Sequence, residues 1–113
     1  MNNVLWFGGP TQGPIARFLK RTLRNQPEEQ QLVLSAIQIL ETTSLDVLAK
    51  TGKVGKVKGP IREYRINAKA HWIRILLAQG KGTDIHLLHV VLKKQNRLDA
   101  GDVQIAEGRF KRL

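Results

Sequence analysis

The strongest constraint on this chain is a change of apolar period partway along it. From Ile15 to Leu40 apolar residues recur at helical spacing, and from Ile61 to Leu92 they alternate. Ile15, Phe18, Leu19 and Leu23 make one helical stripe, with Arg17, Lys20, Arg21 and Arg24 off it. Val33, Ala36, Ile37 and Leu40 make a second, broadened by Leu32 and Ile39. Pro14 and Pro27 suit first helical positions, where no N–H is needed, and Glu28 and Glu29 suit the positive end of a helix dipole. Thr42 to Ser44 end the second helix. A helical hairpin of this kind needs a flat apolar surface to cover.

Three alternating segments supply it. In IREYRIN, Tyr64 and Ile66 share one face and Glu63 and Arg65 the other. In HWIRILLA, Ile73, Ile75 and Leu77 oppose Trp72, Arg74 and Leu76. IHLLHVVL is apolar on both faces apart from His86 and His89, which marks a central strand. Simple alternation puts those two histidines on opposite faces, so they would not share a metal. NNVLWFGG adds a first strand, with Trp6 and Phe7 in core or sheet packing, and GGPTQGP is a turn. KTGKVGKVKGP is expected to be a loop; no Ser or Thr follows Lys53 or Lys56, so it is not a Walker phosphate loop. Asp99 is placed to cap a last short helix with Val103, Ala106 and Phe110 facing in.

The resulting expectation is an α+β fold of order β-α-α-β-β-β-α, one domain over residues 1–113. The helical hairpin packs on one face of an antiparallel-rich sheet and the other face stays open. Arg65 and Arg74 fall on that open face as outward-facing side chains. Arg62 falls on the core-face parity and is expected to lie before its strand begins.

Lys and Arg number 19 against 9 Asp and Glu, a net charge of +10, which favours a polyanionic partner. The densest basic region, Lys50 to Arg74, is loop and strand, unlike a membrane-surface helix. The longest unbroken apolar runs, such as Ile75 to Ala78, are four residues, far short of the roughly 20 a spanning helix needs. There is no cysteine, and the first residues lack the basic and apolar regions of a secretory signal. The expectation is a cytoplasmic protein with no membrane partner.

No metal-ligand spacing and no nucleophilic triad is visible, and no cofactor is implied; Ser35 lies mid-helix. What remains is Arg65, Arg74, His89, Lys93, Lys94 and Arg109. Such a set can cleave RNA, because the RNA brings its own nucleophile, the 2′-OH. A base takes that proton, an acid protonates the leaving 5′-oxygen, and cations hold the phosphate and the charge that builds on it. Arginine's planar fork matches phosphate oxygens, histidine exchanges protons near neutral pH, and lysine serves as a base only if its pKa is lowered. The plainer readings are a hydrogen-bonded core histidine at 89, a solvated strand end at Lys93 and Lys94, and Glu63 pairing with one of two arginines that otherwise repel.

The ordered motifs VKGPIREYRI, WIRILL, HLLHVVLKK and AEGR resemble the RelE/ParE toxin superfamily, specifically its HigB-like, phage-derived branch. The resemblance spans almost the whole chain. It implies the toxin of a type II toxin–antitoxin pair, an mRNA endonuclease commonly acting on the translating ribosome, with an antitoxin partner commonly of helix-turn-helix type. It assigns catalysis to Arg65, Arg74, His89 and Lys93. By the same motifs Lys94 and Arg109 are expected to contact RNA, and RNA contact is expected as well of the other basic residues Lys53, Lys56, Lys58, Arg62, His71 and Arg97. Val91 stands where relatives carry Phe, and the C-terminal Tyr of many relatives is absent, which moves proton transfer onto His89 or a lysine. The alternatives are a ParE-like inhibitor of DNA gyrase and a non-catalytic basic module that binds nucleic acid.

Overall fold

The computed structural model describes residues 1–94 and 97–113. Five strands form one sheet: β1 (Asn3–Trp6), β2 (Val54–Lys58), β3 (Ile61–Asn67), β4 (Trp72–Gln79) and β5 (Asp84–Lys93). Their order across the sheet is β1-β5-β4-β3-β2, with β1 parallel to β5 and every other pair antiparallel. The helices are α1 (Pro14–Arg17), α2 (Pro27–Thr42), α3 (Leu45–Lys50) and α4 (Ala100–Lys111). The α+β class and the central β5 agree with the sequence reading.

The element order differs from expectation in two places. Residues 54–58, expected as loop, are the edge strand β2. Backbone pairing to β3 and burial of Val54 opposite Tyr64 outweigh the poor strand propensity of a Gly- and Lys-rich segment. Ser44, which closes α2, also opens α3: its hydroxyl accepts from Val47 N at 3.3 Å, and Leu45 and Leu48 turn into the core.

Pro14 and Pro27 do occupy the first turns of their helices. After Arg17 the first helix continues as a π-helical turn, Phe18–Thr22, in which Leu23 N bonds Phe18 O at 3.0 Å. That wider turn keeps Leu23 buried beside Ile15 and Phe18 although five residues separate it from Phe18. Entry into α1 requires glycine at position 13, where a Cβ would sit 2.1 Å from Phe7 O.

Helices α1 to α3 bury one sheet face. Val33, Ala36, Ile37 and Leu40 pack with Tyr64, Ile66, Ile73, Ile75 and Leu77, the core face that alternation identifies. Leu32 and Ile39 do not join them; they are 40% and 38% exposed at the rim of α2.

The opposite face is not open. Helix α4 sets Ala106 against Ile61, Leu76, Ala78 and Leu88, because this face carries its own apolar patch that water would otherwise meet. Leu76 pairs with His89 but Leu77 with Leu87, so Leu88 is an extra residue, a β-bulge. The bulge resets the alternation. His86, opposite Ala78, and His89, opposite Leu76, therefore share one face instead of lying on opposite faces. Arg62 lies inside β3, not before it, opposite Leu77 and Lys56 on the face covered by the α1–α3 layer.

Candidate functional site

The α4 side of the sheet carries two cationic clusters on neighbouring strands. Arg65 and Arg74 are direct cross-strand partners. Both approach one oxygen of Glu63, Arg65 Nε at 2.9 Å and Arg74 Nε at 3.4 Å. Glu63 thus sits between two arginines that would repel, rather than pairing with one. Arg65 is exposed, its guanidinium laid across Gly55, where a Cβ would come within 2.2 Å of Nη2. Arg74 is the correction to the sequence reading: it is only 4% exposed. Its Nη1 donates to Ile73 O at 3.1 Å, and its guanidinium lies 5.2 Å from the Trp72 ring centroid. Burial pulls the Arg74 pKa down, Glu63 opposes that shift, and Arg65 adds to it.

The second cluster joins β5 to α4. His89 Nε2 lies 3.0 Å from Asp102 Oδ1, and Arg109 Nη1 lies 3.3 Å from His89 Nδ1. Arginine has only donors, so Nδ1 accepts and the ring proton sits on Nε2, donated to the carboxylate. Arg109 Nη1 also donates to Leu88 O at 2.7 Å, using the carbonyl of the bulge residue. The Arg109 guanidinium lies 5.6 Å from the Phe7 ring centroid. Its pKa is lowered by burial and by the nearby charges of Arg112 and Arg17.

Lys93 Nζ lies 2.6 Å from Asp99 Oδ2 and 2.9 Å from Asp102 Oδ2. These two carboxylates raise its pKa, which holds it as the ammonium and removes it as a general base. At Asp102, burial works to raise the pKa, but the hydrogen bond from His89 and the ion pair with Lys93 prevail and leave it below the ordinary carboxylate value. Asp99 occupies the N-cap position of α4, yet its carboxylate serves Lys93 and makes no cap hydrogen bond.

The remaining basic residues divide. Lys93, Lys94 and Arg97 line one cleft at the end of β5. Lys53 and Arg65 line another against α2, and Arg65 N donates to Lys53 O at 2.9 Å. Lys56 and Arg62 are cross-strand partners on the opposite face, so they do not share the face of Arg65 and Arg74. Lys58 reaches Glu107 at 3.5 Å. His71 lies in the β3–β4 turn with its Nδ1 buried.

Sequence reasoning missed Asp102, which reads as an ordinary acid in a helix's first turn, and it missed the double role of Glu63. It also passed over Arg17 and Arg21. These line an open cleft with His89 and Arg109, where the short β1 ends and the first helix takes its place beside β5. Nothing in a helical pattern signals that two off-stripe arginines face a strand 70 residues away.

Among the described residues, no group of three His, Asp or Glu side chains is placed to hold a metal ion, and no helix is long and apolar enough to cross a membrane. No curated protein matches the chain. The model of the family described as phage-derived protein Gp49-like (DUF891) matches residues 21–111, which takes in the whole sheet except β1, both cationic clusters and α4. The chain belongs to this Gp49-like family, a RelE- and toxin-like family of toxin–antitoxin systems, which implies a cognate antitoxin partner.

Proposed function

We propose that residues 1–113 act as one toxin domain of the HigB-like type: an endoribonuclease that cuts mRNA on the translating ribosome in the cytoplasm, held in check by a helix-turn-helix antitoxin. The observation that carries this reading is the placement of His89 between Asp102 and Arg109, on the same sheet face as Arg65 and Arg74. RNA phosphate draws Arg109 away from the ring and leaves Nδ1 as the base. The 2′-OH gives its proton to Nδ1, its oxygen attacks phosphorus, and the bond to the 5′-oxygen breaks, leaving a 2′,3′-cyclic phosphate. Asp102 steadies the imidazolium that forms. Arg65, Arg109 and the ammonium of Lys93 offset the charge on the phosphate, and Lys93 gives its proton to the leaving 5′-oxygen. Arg74 acts through Glu63 by fixing Arg65, rather than by touching the phosphate. Lys53, Lys94 and Arg97 extend the path for the strand, and ribosomal positioning supplies part of the barrier reduction.

The test is expression of the chain alone in a bacterium with mapping of mRNA ends. New mRNA 5′-hydroxyl ends that vanish in His89→Ala are the expected result. Growth arrest without them, retained in His89→Ala and accompanied by loss of supercoiling by purified gyrase, would replace this reading with gyrase inhibition.

A further inference from the structure

The cleft beside His89 is lined by polar side chains from three separate parts of the chain. Arg17 and Arg21 come from the first helix and its π-helical turn, His89 from β5 and Arg109 from α4, with Pro14, Phe18, Thr22 and Val90 completing the wall and no acidic residue in it. Asp102 reaches His89 from outside this cleft, and among the described residues no carboxylate pairs with Arg17, Arg21 or Arg109, unlike Arg65, Arg74 and Lys93, which each have at least one. Arg17 and Arg21 are four residues apart and both exposed. Like charges at that spacing destabilise a helix. Arg17 is also close enough to Arg109 for their repulsion to be felt. Arg109 is pinned by Leu88 O and by the Phe7 ring, and only its Nη1 is used in hydrogen bonds among the described residues.

A convergent, acid-free set of guanidinium groups around an open cleft is the arrangement that binds phosphate oxygens. We infer that Arg17 and Arg21, together with Arg109, form a phosphate subsite that holds the RNA backbone next to the nucleotide presented to His89. The inference rests on the RNA-cleaving reading for the position of the scissile bond, but not for the existence of the subsite. Phosphate at this point supplies the anion that draws Arg109 from His89 Nδ1, so the subsite couples strand binding to release of the base.

The experiment measures binding of the purified full chain to a single-stranded 2′-O-methyl RNA oligonucleotide, which cannot be cut by 2′-OH attack, across a series of salt concentrations. Each phosphate contact on a single strand contributes about 0.7 to the slope of log K against log salt. Arg17→Ala and Arg21→Ala should each lower the slope by about 0.7, and the double variant should lower it by about 1.4 and weaken binding about tenfold at low salt. Lys50→Ala with Lys81→Ala removes the same charge from exposed sites elsewhere and should change neither measurement.

An unchanged slope in the double variant overturns the subsite. So does an equal loss in the Lys50 and Lys81 control, which would mean a general field. Loss of binding to poly-glutamate but not to RNA would also overturn it, assigning the cleft to an acidic protein segment. Because cleavage is not read, the outcomes separate. A chain that cuts no mRNA but shows the slope change loses the nuclease reading and keeps the subsite. A chain that cuts mRNA without the slope change loses the subsite alone.

Discussion

A carboxylate oxygen of Asp102, in the first turn of α4, lies 3.0 Å from Nε2 of His89 on β5, while its other oxygen lies 2.9 Å from Lys93 Nζ. One acid therefore orients the candidate base and holds the candidate proton donor in its charged form. Asp102→Asn is expected to lower kcat for RNA cleavage on the order of 10²-fold with little change in KM. Initial rates at saturating and limiting substrate separate the two.

The same carboxylate gives the fold a defined acid dependence. Its folded pKa is below the ordinary value, so the unfolded chain binds more protons as the pH falls. The stabilisation is complete above the unfolded value of about 3.9 and is lost as pH falls through the folded value. Urea midpoints followed downward from about pH 6 should decline less steeply in Asp102→Asn than in the parent protein.

Lys93 produces the converse on the alkaline side. Its folded pKa is raised by Asp99 and Asp102, so its contribution is present below the unfolded value of about 10.4 and is lost as pH rises through the folded value. Burial also raises the pKa of Tyr64, whose easier ionisation in the unfolded chain erodes stability over the same range. Lys93→Met should remove the lysine part alone. Its urea midpoint above about pH 10 should fall less than that of the parent protein, with the Tyr64 part left in both.

Glu63 is the only acid between Arg65 and Arg74 among the described contacts. Glu63→Gln leaves two facing guanidinium groups, one of them buried, and should cost about 1–3 kcal/mol of stability in anion-poor buffer. Inorganic phosphate or sulfate should restore part of that loss by occupying the vacated position. Arg74→Ala should destabilise by a similar amount, and no anion should restore it. Thermal melts with and without phosphate distinguish the two.

Gly55 gives a way to move Arg65 without altering its charge. A methyl group there collides with the Arg65 guanidinium, the far end of a flexible side chain, so the fold should change by no more than about 0.5 kcal/mol. Gly55→Ala should nevertheless lower cleavage about tenfold, equivalent to about 1.4 kcal/mol of transition-state stabilisation, by lifting Arg65 from Glu63. Rates measured beside a melting curve check both halves.

Much of this molecule is legible in its residues taken singly and in short windows. The period of 3.6 along Val33, Ala36, Ile37 and Leu40, and the period of 2 along Tyr64, Ile66, Ile73, Ile75 and Leu77, identify the two surfaces that form the main core. Pro14 and Pro27 mark helix starts for a reason local to the residue, the missing N–H. The basic excess favours a polyanionic partner, the motif order resembles a toxin family, and the family match over residues 21–111 agrees with that resemblance.

What the sequence could not decide depended on contacts between distant segments. Strand β2 exists because β3 offers it a ladder of backbone bonds, a partner that no window around Gly55 contains. The bulge at Leu88 inserts one residue into a strict alternation and so moves His89 onto the face of His86, and nothing in IHLLHVVL marks which residue is the extra one. Arg74 is buried with its guanidinium against the Trp72 ring and Glu63, although its charge alone predicts exposure. Residue type and spacing determined which side chains were available. Packing of the first helix and of α4 against β5 determined which carboxylate, which arginine and which ring nitrogen meet, since those distances are set by chain segments that lie 13 to 72 residues apart.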